Sequence, residues 1–125
     1  MLLGPPSSGK SDLLLRLLDR GFELVGDDQL VVENGRIRSA AALSGLIELH
    51  GLGIFQIPYR TSAMLRLAVA LSDPAERLPM PGVDAALGVP AIVIAPETAS
   101  AAIRVHWALD AACGRKMQHC GAFAA

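Results

Sequence analysis

The run Gly4-Pro5-Pro6-Ser7-Ser8-Gly9-Lys10-Ser11 constrains the fold more than any other stretch of the chain. It fits the pattern Gly-x-x-x-x-Gly-Lys-Ser/Thr, follows the apolar Leu2-Leu3 and opens into Leu13, Leu14, Leu15, Leu17 and Leu18. A strand, a loop bounded by glycines and a helix, in that order, aim main-chain N–H groups and the positive end of a helix dipole at one anion. In such a loop the N–H groups of Ser7 to Ser11 converge on phosphate oxygens. Lys10 neutralises the β and γ phosphates of a nucleoside triphosphate such as ATP, and Ser11 offers its hydroxyl to Mg2+. Gly4, Ser7, Ser8, Gly9, Lys10 and Ser11 are therefore the expected nucleotide-binding residues. The competing reading is a glycine-punctuated turn capped by Ser8 or Ser11 with Lys10 solvated, yet a serine cap needs neither Gly9 nor Lys10. Pro5 and Pro6 supply no N–H donors. Ser7 stands where many such loops carry glycine, so a positive φ there costs about 1 kcal/mol or more.

The rest of the chain reads as short elements. Lys10 to Arg20 is rich in strong helix formers and is ended by Gly21. Phe22 to Val25 reads as a short strand and Gln29 to Glu33 as a second. Asn34-Gly35 is a hairpin signal that pairs Leu30 to Glu33 with Arg36 to Arg38. Leu46 to Leu49, Ile54 to Ile57, Leu65 to Leu71 and Ala91 to Ala95 read as further strands. Val83 to Leu87 reads as a short helix and Ala99 to Ala112 as the last one. The tail Gly121 to Ala125 reads as frayed. The expected class is α/β with a mixed sheet, because a hairpin follows the first crossover.

With 125 residues, the chain fits one domain. Only 18% of its residues are charged, against roughly 25% in average soluble domains, which implies burial against further copies in a homo-oligomer. A net charge of −1 and the lack of any basic run remove the electrostatic case for nucleic acid or an anionic membrane. No apolar stretch approaches the ~18 residues needed to span a bilayer. Met1-Leu2-Leu3 leads straight into Gly4, which is no signal peptide, so a cytoplasmic location is expected. Cys113 and Cys120 lack the spacing of a redox pair or a zinc site and read as free thiols.

Asp27-Asp28 follows the apolar Leu24-Val25 and puts two carboxylates at a strand end. Adjacent residues on extended chain face opposite ways, so the two divide their work: one serves the metal, the other takes a proton from an acceptor hydroxyl. An Asp-rich turn is the alternative. Glu48 is a charged residue inside Ile47-Glu48-Leu49-His50-Gly51-Leu52-Gly53-Ile54; by itself it reads as the solvent-facing residue of an edge strand, and His50 as a surface histidine. Gly51 and Gly53 mark the segment as a place to look for a site.

Together these stretches resemble HPr kinase/phosphorylase, specifically its catalytic, C-terminal domain, whose nucleotide site is similar to that of the phosphoenolpyruvate carboxykinases. The match runs through Gly4 to Ser11 with Asp12, through Arg20-Gly21-Phe22-Glu23-Leu24-Val25-Gly26-Asp27-Asp28, and through Glu48 to Ile54, with looser similarity to about Leu109. The resemblance implies a P-loop domain of the phosphoenolpyruvate-carboxykinase-like type with a mixed, largely β core over residues 1–109, residues 110–125 being helix end and tail. It implies an ATP- and Mg2+-dependent enzyme that phosphorylates a serine of the phosphocarrier HPr and removes that phosphate with inorganic phosphate. Asp27 would be the acid/base beside Lys10, Asp12 would join the nucleotide-binding residues, and Ser11, Asp28 and Glu48 would serve magnesium. His50, Gly51 and Gly53 would make the signature-loop contacts. The family is hexameric, and the short form without an amino-terminal domain looks like the alphaproteobacterial version. Two departures stand out: the signature usually has arginine where His50 stands, and the loop usually has glycine at Ser7. A P-loop kinase of a small metabolite and a nucleotide-sensing regulator with impaired catalysis are the alternative functions.

Overall fold

A computed structural model of the chain describes residues 1–27, 30–40 and 44–124. In chain order its elements are β1 (Leu2–Leu3), α1 (Lys10–Asp19), β2 (Leu30–Glu33), β3 (Arg36–Ser39), β4 (Leu46–Leu49), β5 (Gly53–Gln56), β6 (Ala63–Met64), β7 (Ala68–Leu71), β8 (Val83–Asp84), β9 (Val89–Ile94) and α2 (Ala101–Ala112). Contacts divide the chain into two compact units, one of Met1–Lys10 with Arg66–Ala125 and one of Ser11–Leu65.

The first unit is built on a sheet of order β1-β7-β9-β8. β1 and β9 both run parallel to β7, with Leu2 opposite Val69 and Ala70 opposite Val93. A strand flanked on both sides must be apolar throughout, and Ala68-Val69-Ala70-Leu71 is. Val69 is 1% exposed, a burial that contributes about 1.5–3 kcal/mol. α2 packs on β9 and buries Ala101, Ala102, Val105 and Ala108, one face of the helix. β8 pairs antiparallel with β9, and this makes the sheet mixed. The mixed character was expected from the first hairpin, but that hairpin belongs to a separate sheet.

The second unit holds α1 from Ser11 onward, a sheet of order β2-β3-β6 and the β4-β5 pair. α1 buries Leu13 and Leu17, one turn apart. It closes with a Schellman motif, the N–H of Phe22 donating to the Leu17 carbonyl and that of Gly21 to the Leu18 carbonyl, each at 3.1 Å. The β2-β3 hairpin has the expected register, Glu33 opposite Arg36 and Leu30 opposite Ser39. Its turn residues Asn34 and Gly35, with φ of 51° and 74°, twist in the sense that matches paired strands.

Three elements differ from expectation. Phe22–Val25 forms no strand; only Leu24 makes a bridge, parallel to Tyr59, and the Phe22 N–H is taken by the Leu17 carbonyl at the end of α1 rather than by a neighbouring strand. Of the run Leu65 to Leu71 only Ala68–Leu71 is a strand, β7; β6 (Ala63–Met64) comes just before the run and pairs in a different sheet. Val83 to Leu87 is not helical. Asp84 ends β8 and its carboxylate accepts the N–H groups of Ala86 and Leu87 at 3.0 and 2.9 Å, an Asx turn that competes with a helix start. After α2, residues 113–124 form turns, with the Arg115 N–H on the Asp110 carbonyl at 2.7 Å and the Phe123 N–H on Gln118 Oε1 at 2.6 Å.

Candidate functional site

The first unit carries the loop. β1 is anchored by the Met1 main-chain nitrogen on the Leu67 carbonyl at 2.8 Å and by the Val69 N–H on the Met1 carbonyl at 2.9 Å. Gly4 to Gly9 then leave the carboxyl end of a parallel strand, the place where α/β sheets gather ligands. The Ser8 N–H returns to the Pro5 carbonyl at 3.2 Å and closes the turn. Ser7 has φ of 65° and Gly9 of 90°, while the residues between and after them keep negative values. Alternation of this kind is the backbone pattern found in main-chain anion concavities. Ser7 thus carries the strain foreseen for it. Ser8 Oγ is buried with no hydrogen-bond partner among the described residues, a hydroxyl left free in a loop of donors. Lys10 Nζ reaches the Gly4 carbonyl at 3.4 Å and so lies along its own loop.

In the second unit, Ser11 Oγ donates to Asp27 Oδ1 at 3.5 Å. Several contacts fix the approach of Asp27. Leu24 is 1% exposed and its carbonyl accepts the Arg60 N–H at 2.7 Å. Gly26 passes so close to β2 and β3 that a Cβ there would lie 2.7 Å from Ser39 Cβ and 2.8 Å from Leu30 Cδ2, which leaves room for glycine alone. Glu23 and Arg60 form a two-pronged ion pair, with Arg60 Nε donating to Oε2 and a second guanidinium nitrogen to Oε1 at 3.1 Å. The hydrogen bonds from Arg60 hold the Glu23 carboxyl below its usual range against the opposing effect of desolvation, and Glu23 in turn raises Arg60. Sequence reading passed over this pair because its members stand 37 residues apart and neither has a distinctive local motif.

The remaining candidates are placed as follows. Asp12 pairs with Arg16 one turn on, at 3.0 Å, along the exposed side of α1. Asp28 lies outside the described residues. Glu48 is exposed on β4, opposite Ile54 of β5, as an edge-strand residue would be. His50 and Gly51 form the tight turn between the two strands, closed by the Leu52 N–H on the Leu49 carbonyl at 2.9 Å; Gly51 and Gly53 have φ of 84° and 124°. Among the described residues no three His, Cys, Asp or Glu side chains come together as a metal cluster. The donors that do meet, a hydroxyl and a carboxylate oxygen, are the hard oxygen ligands that magnesium takes when phosphates and water complete its shell.

Fold and loop define a mixed α/β chain with a glycine-bounded turn ahead of its first helix. Sequence and structure comparisons relate it to the HPr kinase/phosphorylase family. It is 39% identical over 100 residues to the HPr kinase/phosphorylase of Aromatoleum aromaticum, covering 63% of this chain and 31% of the relative. It is 35% identical over 72 residues to the HPr kinase/phosphorylase of Clostridium novyi, covering 53% of this chain and 24% of the relative. The chain thus spans a third or less of the length of these curated relatives. The structure of the Hpr(Ser) kinase/phosphatase from Coxiella burnetii superposes with a TM-score of 0.62 at 26% identity, covering 86% of this chain and 81% of that one. No family model matches the chain. No helix of the described residues is long and apolar enough to cross a membrane.

Proposed function

We propose that this chain is the nucleotide-handling part of a cytoplasmic serine kinase, of the P-loop type related to the phosphoenolpyruvate carboxykinases. It transfers the γ-phosphoryl group of ATP to a serine of an HPr-like phosphocarrier and returns that phosphate to inorganic phosphate. The observation that carries the reading is the 3.5 Å approach of Ser11 Oγ to Asp27 Oδ1, which brings the last residue of the loop to the acid of the second motif.

Each residue then has a role. The N–H groups of Ser7 to Ser11 and the free hydroxyl of Ser8 receive phosphate oxygens. Lys10 leaves the Gly4 carbonyl and pairs with the same phosphates, since a phosphate is a stronger partner for an ammonium group than a neutral carbonyl. Ser11 would hold Mg2+, with Asp28 and Glu48 as its further proposed ligands. Bound magnesium supplies positive charge to the phosphates. Asp27 accepts the proton of the attacking serine hydroxyl, and gives it back when phosphate attacks the phosphoserine. His50 and Gly51 border the acceptor. The many exposed apolar side chains, among them Leu52, Ile54 and Met80, support an assembly of several copies, a hexamer by family likeness.

The test is to incubate the protein with ATP, magnesium and HPr and to follow phosphoserine by intact mass. One phosphate per HPr is expected, with its removal when ATP is replaced by excess inorganic phosphate. Failure to form phosphoserine at any protein ratio, with ATP bound, sinks the reading.

A further inference from the structure

A cavity of about 810 Å³ opens between α2 and the turns that follow it. Ile103 and Trp107, one helical turn apart on α2, line it together with the buried Ala108, and Phe123 joins them from the tail. Trp107 is 60% exposed, an unusual position for the largest side chain in the molecule. The volume lies within the range of roughly 300–1,000 Å³ typical of small-molecule sites.

The charged part of the lining has one sign. Arg104 and Lys116 make it up, and no carboxylate joins them among the described residues. Both groups are held in place. Arg104 Nε donates to Ser100 Oγ at 2.8 Å, which takes the hydroxyl from its helix-capping role and fixes the guanidinium at the cavity edge with its other N–H groups uncommitted to that bond. Lys116 Nζ sits 4.3 Å from the centre of the Trp107 ring. Asp110 does not line the cavity; its carboxylate is engaged by Arg115 Nε at 2.8 Å and lies 3.9 Å from Lys116 Nζ, a looser pairing that an incoming anion competes with. An apolar wall of two aromatic rings beside two cationic side chains, with no carboxylate in the lining among the described residues, fits a molecule with a flat apolar body and an acidic head. The body lies against Trp107 and Phe123; the carboxylate, sulfonate or phosphate meets Arg104 and Lys116.

We propose that this cavity is a binding site for a small amphipathic organic anion, separate from the loop Gly4 to Ser11, with which it shares no lining residue. Trp107 is the sole tryptophan of the chain, so its emission reports the cavity directly. The probe is anilinonaphthalene sulfonate, compared with the neutral phenylnaphthylamine of similar shape. Saturable energy transfer from Trp107 to one dye per chain is expected, with the anion bound about tenfold or more tightly than the neutral dye, the effect of one charge-assisted contact. Arg104→Gln with Lys116→Gln removes that advantage and leaves the neutral dye unaffected. Ile103→Glu, an exposed substitution that does not threaten folding, puts an acid on the wall and weakens the anion alone. Equal affinity for the two dyes, an unchanged anion affinity in both variants, or loss of dye binding in Lys10→Ala overturns the proposal.

Discussion

Ser11 and Asp27 meet at 3.5 Å although 16 residues separate them, and the intervening chain reaches that position through one helix end and one bridge. If Asp27 is the base, Asp27→Asn keeps the size and the hydrogen-bond reach while removing the proton acceptor. Phosphoserine formation should fall about 10²- to 10⁴-fold while ATP affinity stays near its original value. Rapid-quench kinetics with calorimetric ATP titration checks both. An unchanged rate would remove Asp27 from the chemistry.

Ser7→Gly should stabilise the protein. The left-handed backbone at φ 65° costs a serine about 1–2 kcal/mol, and the extra freedom of glycine in the unfolded chain returns about 0.5–1 kcal/mol of that. A net gain of up to about 1 kcal/mol follows, read as a higher urea midpoint at unchanged slope. A lower midpoint means that the Ser7 hydroxyl holds the loop through a contact stronger than its strain.

The Glu23–Arg60 pair sets an acid dependence. Because the folded carboxyl titrates below its ordinary 4.5, the folded state binds fewer protons than the unfolded chain in that range. Its contribution is therefore complete above 4.5 and disappears as pH falls through the depressed folded value. Melting temperatures of wild type and Arg60→Gln should differ by a constant amount near neutral pH and converge on acidification. A gap that widens with acid contradicts this sign. Both groups are exposed, so the gap is small.

Leu13 is 0% exposed and sits in the first turns of α1, directly after the loop. Leu13→Ala should cost about 2–5 kcal/mol. Chemical denaturation measures it, and a loss under about 1 kcal/mol would mean that its surroundings collapse onto the smaller side chain.

What the sequence revealed was mostly local. Lys10 to Asp19, its glycine end and the Asn34-Gly35 hairpin follow from rules that act over a few residues, and they stand where expected. Ser7 was legible too, because handedness is a property of one residue. Partners across the chain were not. Nothing near Leu2 says that it pairs with Val69, and nothing near Glu23 names Arg60. Val83 to Leu87 has helix-compatible residues, but one well-placed carboxylate at Asp84 outweighs their weak propensity. Among the candidate site residues, Asp27 was singled out from an expected strand end that the fold does not form, whereas the Ser8 hydroxyl, unpartnered among the described residues, depends on burial and has no signature in sequence.

The pairing of β1 with β7 has a consequence for how the molecule is made. A ribosome releases Leu2 and Leu3 long before the strand they lean on, whose neighbour Leu67 lies 66 residues beyond Met1. Until Ala68–Leu71 emerges, the turn that follows has no scaffold to hold its amides together. If the turn grips nucleotide as proposed, it gains that ability only once Ala68–Leu71 has been made, and nucleotide would stabilise the protein only after the sheet has closed around β1.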